Sequence, residues 1–251
     1  ELVKLIIYLL SVDSAKWLPC DRPGNYLYIR PTIISTQAQL GMKEPKAALM
    51  YIIITFMLAI DTPAGGMRLH TSPEDMMRAW VRGFSYAKLG ANYGPSPRHV
   101  LILWLYGPDL EYIEAGASNI FILWKRKDSR KELIAAPFDD KLILDGITRR
   151  SCLELAHETQ SNNIVITERK YSINRVIEAD SKGRILGAFA AGTTFFIYAI
   201  SQIHHSRKDI NIPMGPENEP GEVTKKIKSW LLDVMYSKTQ YEWGVVIPEK
   251  E

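Results

Sequence analysis

The longest apolar run of the sequence, from Ala47 to Ile60, sets the first limit on the fold. It is shorter than the roughly 20 residues that a membrane-spanning helix needs, it is rich in isoleucine, and Tyr51 and Thr55 lie within it. We interpret the run as a buried strand and expect no membrane partner. Of the 251 residues, 46% are apolar or aromatic and 24% are charged, a balance that excludes intrinsic disorder and predicts a substantial core.

Charge and cysteine usage narrow the function classes. Lys and Arg outnumber Asp and Glu by 31 to 28, and the one basic run, Lys125 to Lys131, contains Asp128 and lies between strand-like segments. A solvated hairpin is therefore favoured over a nucleic-acid surface. Cys20 and Cys152 form neither a CxxC pair nor a metal-ligand cluster, which indicates no metal and a reducing compartment. With no leader visible we expect the cytoplasm, and the mitochondrion stays open because a transit peptide would lie upstream of Glu1.

The hydrophobic patterning predicts a mixed α/β fold with two domains. Residues 1–65 read as a partial, small N-terminal domain, with a helix over 2–10 and strands over 26–34 and 47–60. The Pro- and Gly-rich stretch 61–66 is the predicted linker, and residues 66–251 form the larger, β-rich C-terminal domain.

Within the larger domain, Ser72-Pro73-Glu74-Asp75 has the composition of a helix start, which predicts a helix to about residue 87. The remaining pattern predicts strands over 99–106, 119–124, 132–135, 163–167 and 194–200, and helices over 148–157 and 223–235.

One lysine, Lys88, stands in a segment of small, aromatic and glycine residues that runs from Gly83 to Gly94. A lysine kept out of bulk water loses its proton more easily and can then form a Schiff base with a carbonyl compound. From this segment alone, a lysine that points to solvent near a helix end is the alternative interpretation.

Three later segments have turn chemistry that suits a charged ligand. Glu114 to Asn119 place an acid and an amide around a glycine at the end of a strand, Asp145 to Arg150 put a glycine turn before a helix, and Gly192 to Thr194 form a small-residue turn. Free amides at such positions bind phosphate, and a carboxylate can hold a ring nitrogen. Taken singly, an ordinary hairpin or an ordinary glycine turn explains each segment as well.

In this order and at these separations, the four segments resemble the branched-chain amino acid aminotransferases, a fold-type IV group of pyridoxal-phosphate enzymes. The family's lysine followed by GxNYG, its EVGTxN-like turn, its PGVTRR turn and its GTA turn are matched in turn by Lys88 to Gly94, Glu114 to Asn119, Asp145 to Arg150 and Gly192 to Thr194. Leu27 to Thr32 look like the family's YIRPT strand, and the similarity extends from about Leu2 to the end of the chain.

The resemblance implies transamination of Leu, Ile or Val with 2-oxoglutarate, dependent on pyridoxal phosphate and carried out by a homodimer on small-molecule substrates. Lys88 would carry the cofactor as a Schiff base and move the proton at the substrate α-carbon. The implied cofactor contacts are Glu114 at the ring nitrogen, Tyr93 at the phenolic oxygen, and Ile147, Thr148 and Thr193 at the phosphate. The implied substrate contacts are Arg30, Thr193 and Thr194, with apolar walls near Phe84 and Tyr28.

The sequence also departs from the family pattern. The arginine that anchors the phosphate in the family belongs upstream of the helix that opens this chain and has no counterpart in it. Ala117 and Ala136 replace threonines, and Asp145 replaces a proline, which puts an acid near the predicted phosphate turn. A truncated or degenerate paralogue without catalysis therefore stays an alternative. Another fold-type IV enzyme, such as a D-amino acid aminotransferase or an aminodeoxychorismate lyase, fits the motifs less well.

Overall fold

The computed structural model describes residues 1–18, 24–38, 40–41, 43–58, 64–94, 101–160, 163–193 and 196–248. Its Cα positions divide the chain into two compact units, Glu1–Ile60 with Gln240–Glu251, and Asp61–Thr239. The domain boundary near residue 65 stays a prediction. Among the described residues, no helix is both long and apolar enough to cross a membrane.

The first unit contains helix α1 (Leu2–Trp17) and an antiparallel hairpin of strands β1 (Tyr26–Ser35) and β2 (Ala48–Met57). The predicted helix and both predicted strands are confirmed. The prediction that the apolar run is buried is wrong, because Leu49 is 51% exposed and Tyr51 and Ile53 are also exposed. In the described part of this unit β2 pairs only with β1, and a two-stranded sheet covers little of its own surface.

In its described residues, the second unit has nine paired strands and three α-helices. The strands are β3 (Met67–Thr71), β4 (Leu101–Tyr106), β5 (Glu111–Ala115), β6 (Ser118–Lys125), β7 (Lys131–Ala135), β8 (Ile164–Glu168), β9 (Ile185–Gly192), β10 (Phe196–His205) and β11 (Lys208–Asn211). The helices are α2 (Ile147–Gln160), α3 (Ile173–Ser181) and α4 (Glu222–Met235).

The strand pairings close into a ring. Neighbours run in the order β10, β3, β4, β5, β6 and β9, and β9 pairs again with β10. Strand β11 adds to β10 as a branch, and β7 with β8 add to β6. The register places Glu114 of β5 opposite Asn119 of β6, and Asn119 opposite Ala191 of β9. The predicted motif Glu114 to Asn119 therefore lies beside the start of the predicted motif at Gly192, at one edge of the sheet.

Alternate side chains of the strands supply two hydrophobic cores. On β4, Leu103 and Leu105 pack into the larger cluster, while Ile102 and Trp104 pack into a smaller one with Ile113 of β5. This alternation follows from the two-residue period of a strand, which sends successive side chains to opposite faces.

The helix predicted over residues 72–87 is wrong. The segment forms turns and bends, followed by a short 3-10 helix at Gly90–Tyr93. The Ser72 hydroxyl accepts a hydrogen bond from the Leu105 amide on β4 and does not cap a helix. Arg82 adopts a φ of 63°, which is incompatible with a right-handed helix. The other predicted helices and strands are present wherever they fall on described residues.

Candidate active site

Among the acids that the structure describes in the second unit, Glu114 is the most deeply buried. It has 0% exposure at the end of β5. Burial raises the pKa of Glu114 to about 7, while Arg78, the Leu144 amide and Lys88 act in the opposite direction. Buried carboxyl groups with raised pKa values are concentrated at functional sites.

Arg78 joins two of the predicted cofactor contacts. Its guanidinium, in a residue with 1% exposure, places Nη2 3.0 Å from Oε2 of Glu114 and donates from Nη2 to the Tyr93 hydroxyl at 3.0 Å. The guanidinium also lies 5.0 Å from the centre of the Tyr93 ring. Burial and the nearby Glu114 raise the pKa of the Tyr93 hydroxyl, and Arg78 opposes that shift. Arg78 therefore holds Glu114, the predicted contact to the ring nitrogen, and Tyr93, the predicted contact to the phenolic oxygen, in place relative to each other.

The contact between Arg78 and Glu114 is an ion pair without hydrogen-bond alignment. Among the described residues, Oε2 of Glu114 has no aligned donor, although Nη2 of Arg78 is 3.0 Å away. Oε1 of the same carboxylate accepts a hydrogen bond from the Leu144 amide at 2.5 Å. One carboxylate oxygen is thus available for a further donor.

The peptide groups of Leu144 are held by the cross-strand pair Glu114 and Asn119. The Leu144 amide donates to Glu114, and the Leu144 carbonyl accepts from Nδ2 of Asn119 at 2.9 Å. Leu144 directly precedes the turn that enters α2, so these two bonds fix where the N-terminus of α2 begins. The predicted phosphate contacts Ile147 and Thr148 lie at that N-terminus.

The turn before α2 requires glycine. A Cβ atom on Gly146 would lie 2.2 Å from Oδ1 of Asn119. The first amides of any α-helix lack partners within the helix and carry the positive end of its dipole, so the amides of Ile147 and Thr148 are suited to an anion. Ile147 itself is 70% exposed, which leaves this helix end open.

The predicted GTA-like turn lies at the same edge of the sheet. Thr193 is exposed at the end of β9, and a Cβ atom on Gly192 would lie 2.6 Å from the Ser118 hydroxyl oxygen. Glycine therefore allows β9 to pass close to β6. Thr194 lies outside the described residues.

Lys88 precedes the 3-10 helix and is exposed. Its segment is held by Asn92, whose side-chain amide donates to the carbonyl groups of Phe84 at 3.4 Å and Ala87 at 3.2 Å. The ammonium of Lys88 is close enough to Glu114 to lower the pKa of that carboxyl group. Lys88, Tyr93 and Glu114 are therefore near one another, but Lys88 is not kept out of bulk water, and its role as the cofactor lysine stays a prediction.

The predicted substrate contacts are described less completely. Arg30 belongs to the first unit, where its side chain is exposed, donates to the Tyr28 hydroxyl and lies 5.0 Å from the centre of the Tyr28 ring. Phe84 belongs to the second unit and is 63% exposed. The roles of these residues in substrate binding stay predictions.

The acid that departs from the family pattern, Asp145, lies just before α2 and is neutralised by Arg150 of that helix. Arg150 donates from Nε to Oδ1 of Asp145 at 2.7 Å, and its Nη2 forms a second bond to the same carboxylate. Hydrogen bonding to Arg150 lowers the pKa of Asp145. The negative charge near the start of α2 is therefore compensated.

Three residues of this site were not recognised in the sequence: Arg78, Leu144 and Arg149. Arg149 is buried and donates to the Ala136 carbonyl at 2.8 Å and to Glu168, so it anchors α2 to β7 and β8. Arg149 belongs to the predicted motif Asp145 to Arg150, but the sequence predicts no role for it. Nothing in the pattern around Arg78 distinguishes it from a surface arginine, and a backbone contact such as that of Leu144 carries no side-chain signal.

The comparisons with known proteins agree with this arrangement. The family model for amino-transferase class IV matches residues 14–203, and the chain belongs to that family. Its relatives include branched-chain-amino-acid aminotransferases. The mitochondrial enzyme of Schizosaccharomyces pombe is 36% identical over 95% of this chain and 57% of its own length, and the cytosolic enzyme of Saccharomyces cerevisiae is 36% identical over 99% and 69%. The chain thus spans between about half and two thirds of these relatives.

Solved structures share the fold, which confirms the predicted fold-type IV class. An aminotransferase from Brucella abortus bound to pyridoxal phosphate aligns with a TM-score of 0.64 and 18% identity, over 90% of this chain and 74% of that one. A branched-chain aminotransferase from Thermoproteus uzoniensis with norvaline aligns with a TM-score of 0.59 and 22% identity, over 83% and 64%.

Proposed function

We propose that this chain binds pyridoxal phosphate and transfers the amino group of Leu, Ile or Val to 2-oxoglutarate. The observation that supports this most directly is the buried Glu114, which shares the Arg78 guanidinium with Tyr93 and lies within electrostatic reach of Lys88. Relatives that are 31–36% identical are named for branched-chain transamination.

The residues present fit the cofactor. Oε2 of Glu114, without an aligned donor among the described residues, can accept from a protonated ring nitrogen. The Tyr93 hydroxyl can bond a phenolic oxygen, and the open N-terminus of α2 offers amides to a phosphate group. A side chain at Gly146 or Gly192 would collide with β6, so both turns present bare backbone.

Pyridoxal phosphate, when bound, supplies an electron sink for the charge that develops at the substrate α-carbon. Lys88 would supply the amine that holds the cofactor, and its free amine would serve as general base and acid for the proton at the substrate α-carbon. Glu114 keeps a proton on the ring nitrogen. The positive charge of that nitrogen favours the ionised form of Glu114, whose pKa near 7 otherwise leaves it partly protonated at neutral pH.

We assign the remaining contacts by the same resemblance. Ile147, Thr148 and Thr193 hold the phosphate, and Arg30, Thr193 and Thr194 hold the substrate carboxylate. Tyr28 and Phe84 supply apolar contacts to the substrate side chain. We also propose that the protein is a homodimer, as is typical of the family, and that it acts in the cytoplasm or the mitochondrion, since the relatives include both cytosolic and mitochondrial forms.

Borohydride reduction of the protein with pyridoxal phosphate, followed by peptide mass spectrometry, tests the proposal. We expect a pyridoxyl adduct on Lys88 that is lost in Lys88→Ala and kept in Lys131→Ala, an exposed lysine on β7. A sample of the same protein with pyridoxal phosphate, left unreduced, should transfer the amino group of leucine to 2-oxoglutarate. A folded protein without the adduct at Lys88 would refute the cofactor assignment and favour a paralogue without catalysis.

A further inference from the structure

A second concave region lies at the far end of β6 from Glu114. It is a cavity of about 590 Å³ lined by Trp124, the turn after β6 and residues of α3. Asn119 and Lys125 are six residues apart on one strand, which is roughly 20 Å at about 3.3 Å per residue. The cavity is therefore separate from the candidate active site, and its volume lies in the range of small-molecule sites.

Cationic side chains converge on this cavity from four segments of the chain. They come from the β6–β7 turn, the residue after β8, helix α3 and the residue before β9: Arg126, Lys127, Arg169, Arg175 and Arg184. Three acids, Asp128, Glu132 and Glu178, also line it. Positive side chains gathered around one cavity repel each other unless anions compensate them.

The acids compensate these cations only partly. Asp128 bonds Arg130, which does not line the cavity, at 2.8 Å, and lies 3.6 Å from Arg126. Glu178 likewise bonds Lys182, outside the cavity, at 2.6 Å and lies 3.7 Å from Arg184. The stronger contact of each acid is therefore made away from the cavity.

The third acid, Glu132, forms its hydrogen bonds to residues that line the cavity. It is 2% exposed and accepts a hydrogen bond from Nε1 of Trp124 at 2.6 Å and another from Arg169 at 3.1 Å. Its hydrogen bonds to Trp124 and Arg169 outweigh the effect of burial and lower the pKa of Glu132. Among the described residues, the Arg175 side chain makes no hydrogen bond or ion pair. An excess of positive charge therefore faces the cavity.

We propose that this cavity binds a small organic phosphate. Guanidinium groups present paired N–H donors that match the oxygens of phosphate, and several of them suit a multiply charged anion. The volume exceeds what an inorganic ion fills, and the Trp124 ring supplies an apolar wall for an organic part. None of these residues belongs to the candidate active site, so the inference does not rest on the proposed transamination.

Isothermal titration with inorganic pyrophosphate tests the inference. The full chain is first loaded with pyridoxal phosphate, reduced with borohydride and separated from free cofactor, so that the N-terminus of α2 does not compete for the probe and no free organic phosphate fills the cavity. We expect saturable binding that weakens about tenfold or more, or about 1.4 kcal/mol, in Arg175→Gln/Arg184→Gln. Arg68→Gln, which removes an exposed arginine of β3 outside the cavity, should leave the affinity unchanged. If the double variant does not fold, Arg175→Gln alone should weaken binding in the same direction.

Three results would overturn the inference. Equal affinity in the wild type and in the folded arginine variants would show that the anion binds elsewhere. If sodium chloride at the same ionic strength gave the same binding heats as pyrophosphate, the signal would come from charge screening and not from a specific site. Citrate binding as tightly as pyrophosphate would remove the preference for phosphate. The Lys88 adduct, measured on the same variants, should not change, which separates a failure here from a failure of the cofactor assignment.

Discussion

Removal of the Arg78 guanidinium should destabilise the second unit strongly. Arg78→Met keeps the length of the side chain but leaves the Glu114 carboxyl, with a side-chain exposure of 1%, without its cation. Breaking a buried ion pair by removing one partner costs about 3–5 kcal/mol. The Leu142 carbonyl, which accepts from Nη1 of Arg78 at 3.1 Å, also loses its donor. We expect a loss of about 4 kcal/mol in the free energy of unfolding, close to the ion-pair term.

Urea denaturation followed by tryptophan fluorescence measures this loss, with the buried Trp104 as a reporter in the same unit. Arg78→Met/Glu114→Gln should recover at least about 2 kcal/mol relative to the sum of the single changes, because glutamine leaves no buried charge. Arg68→Met, at an exposed position, should change stability by less than about 0.5 kcal/mol. A loss below about 1 kcal/mol in Arg78→Met, or strict additivity in the double variant, would contradict the reasoning.

Two further predictions concern Glu114 and the α2 turn. Because the folded-state pKa of Glu114, about 7, exceeds its ordinary value of 4.5, the stability it contributes is fully present below pH 4.5 and is lost as the pH rises through 7. Without added cofactor, this loss should reach about 3 kcal/mol and be absent in Glu114→Gln, and an unchanged pH profile in that variant would contradict it. Gly146→Ala should weaken pyridoxal phosphate binding, measured by absorbance titration, because its Cβ would lie 2.2 Å from Oδ1 of Asn119. Asn119→Ala should partly restore binding, Gly187→Ala, with open space around its Cβ, should not affect it, and a Gly146→Ala variant with normal affinity would disprove the clash.

The elements predictable from the sequence are those in which local chemistry and tertiary packing agree. The apolar runs of β1, β4 and β6 form strands, and the glycine turn before Ile147 opens a helix. The order of the four motifs also identified Lys88, Tyr93 and Glu114, which the structure brings together. These features depend on neighbours along the chain, which a sequence displays directly.

The features that the sequence predicted wrongly, or did not reveal, depend on contacts between distant segments. Ser72 to Asp75 have the composition of a helix start, but the Ser72 hydroxyl bonds β4, and Arg78 turns into the core to meet Glu114. The exposure of Leu49 depends on how many strands pair with β2, and no local pattern specifies that number. Arg78 itself reads as an ordinary surface cation until its partners are known.

The two hydrogen bonds of Leu144 have a consequence for which molecules the site can accept. Because the Glu114 carboxylate bonds the Leu144 amide and the Asn119 side chain bonds the Leu144 carbonyl, the span between a ring-nitrogen contact and a phosphate contact is held by these two bonds. A ligand must therefore match that span to engage both ends at once. A compound too long or too short for that span would lose one of the two contacts, so the spacing of Glu114 and the start of α2 selects ligands by length.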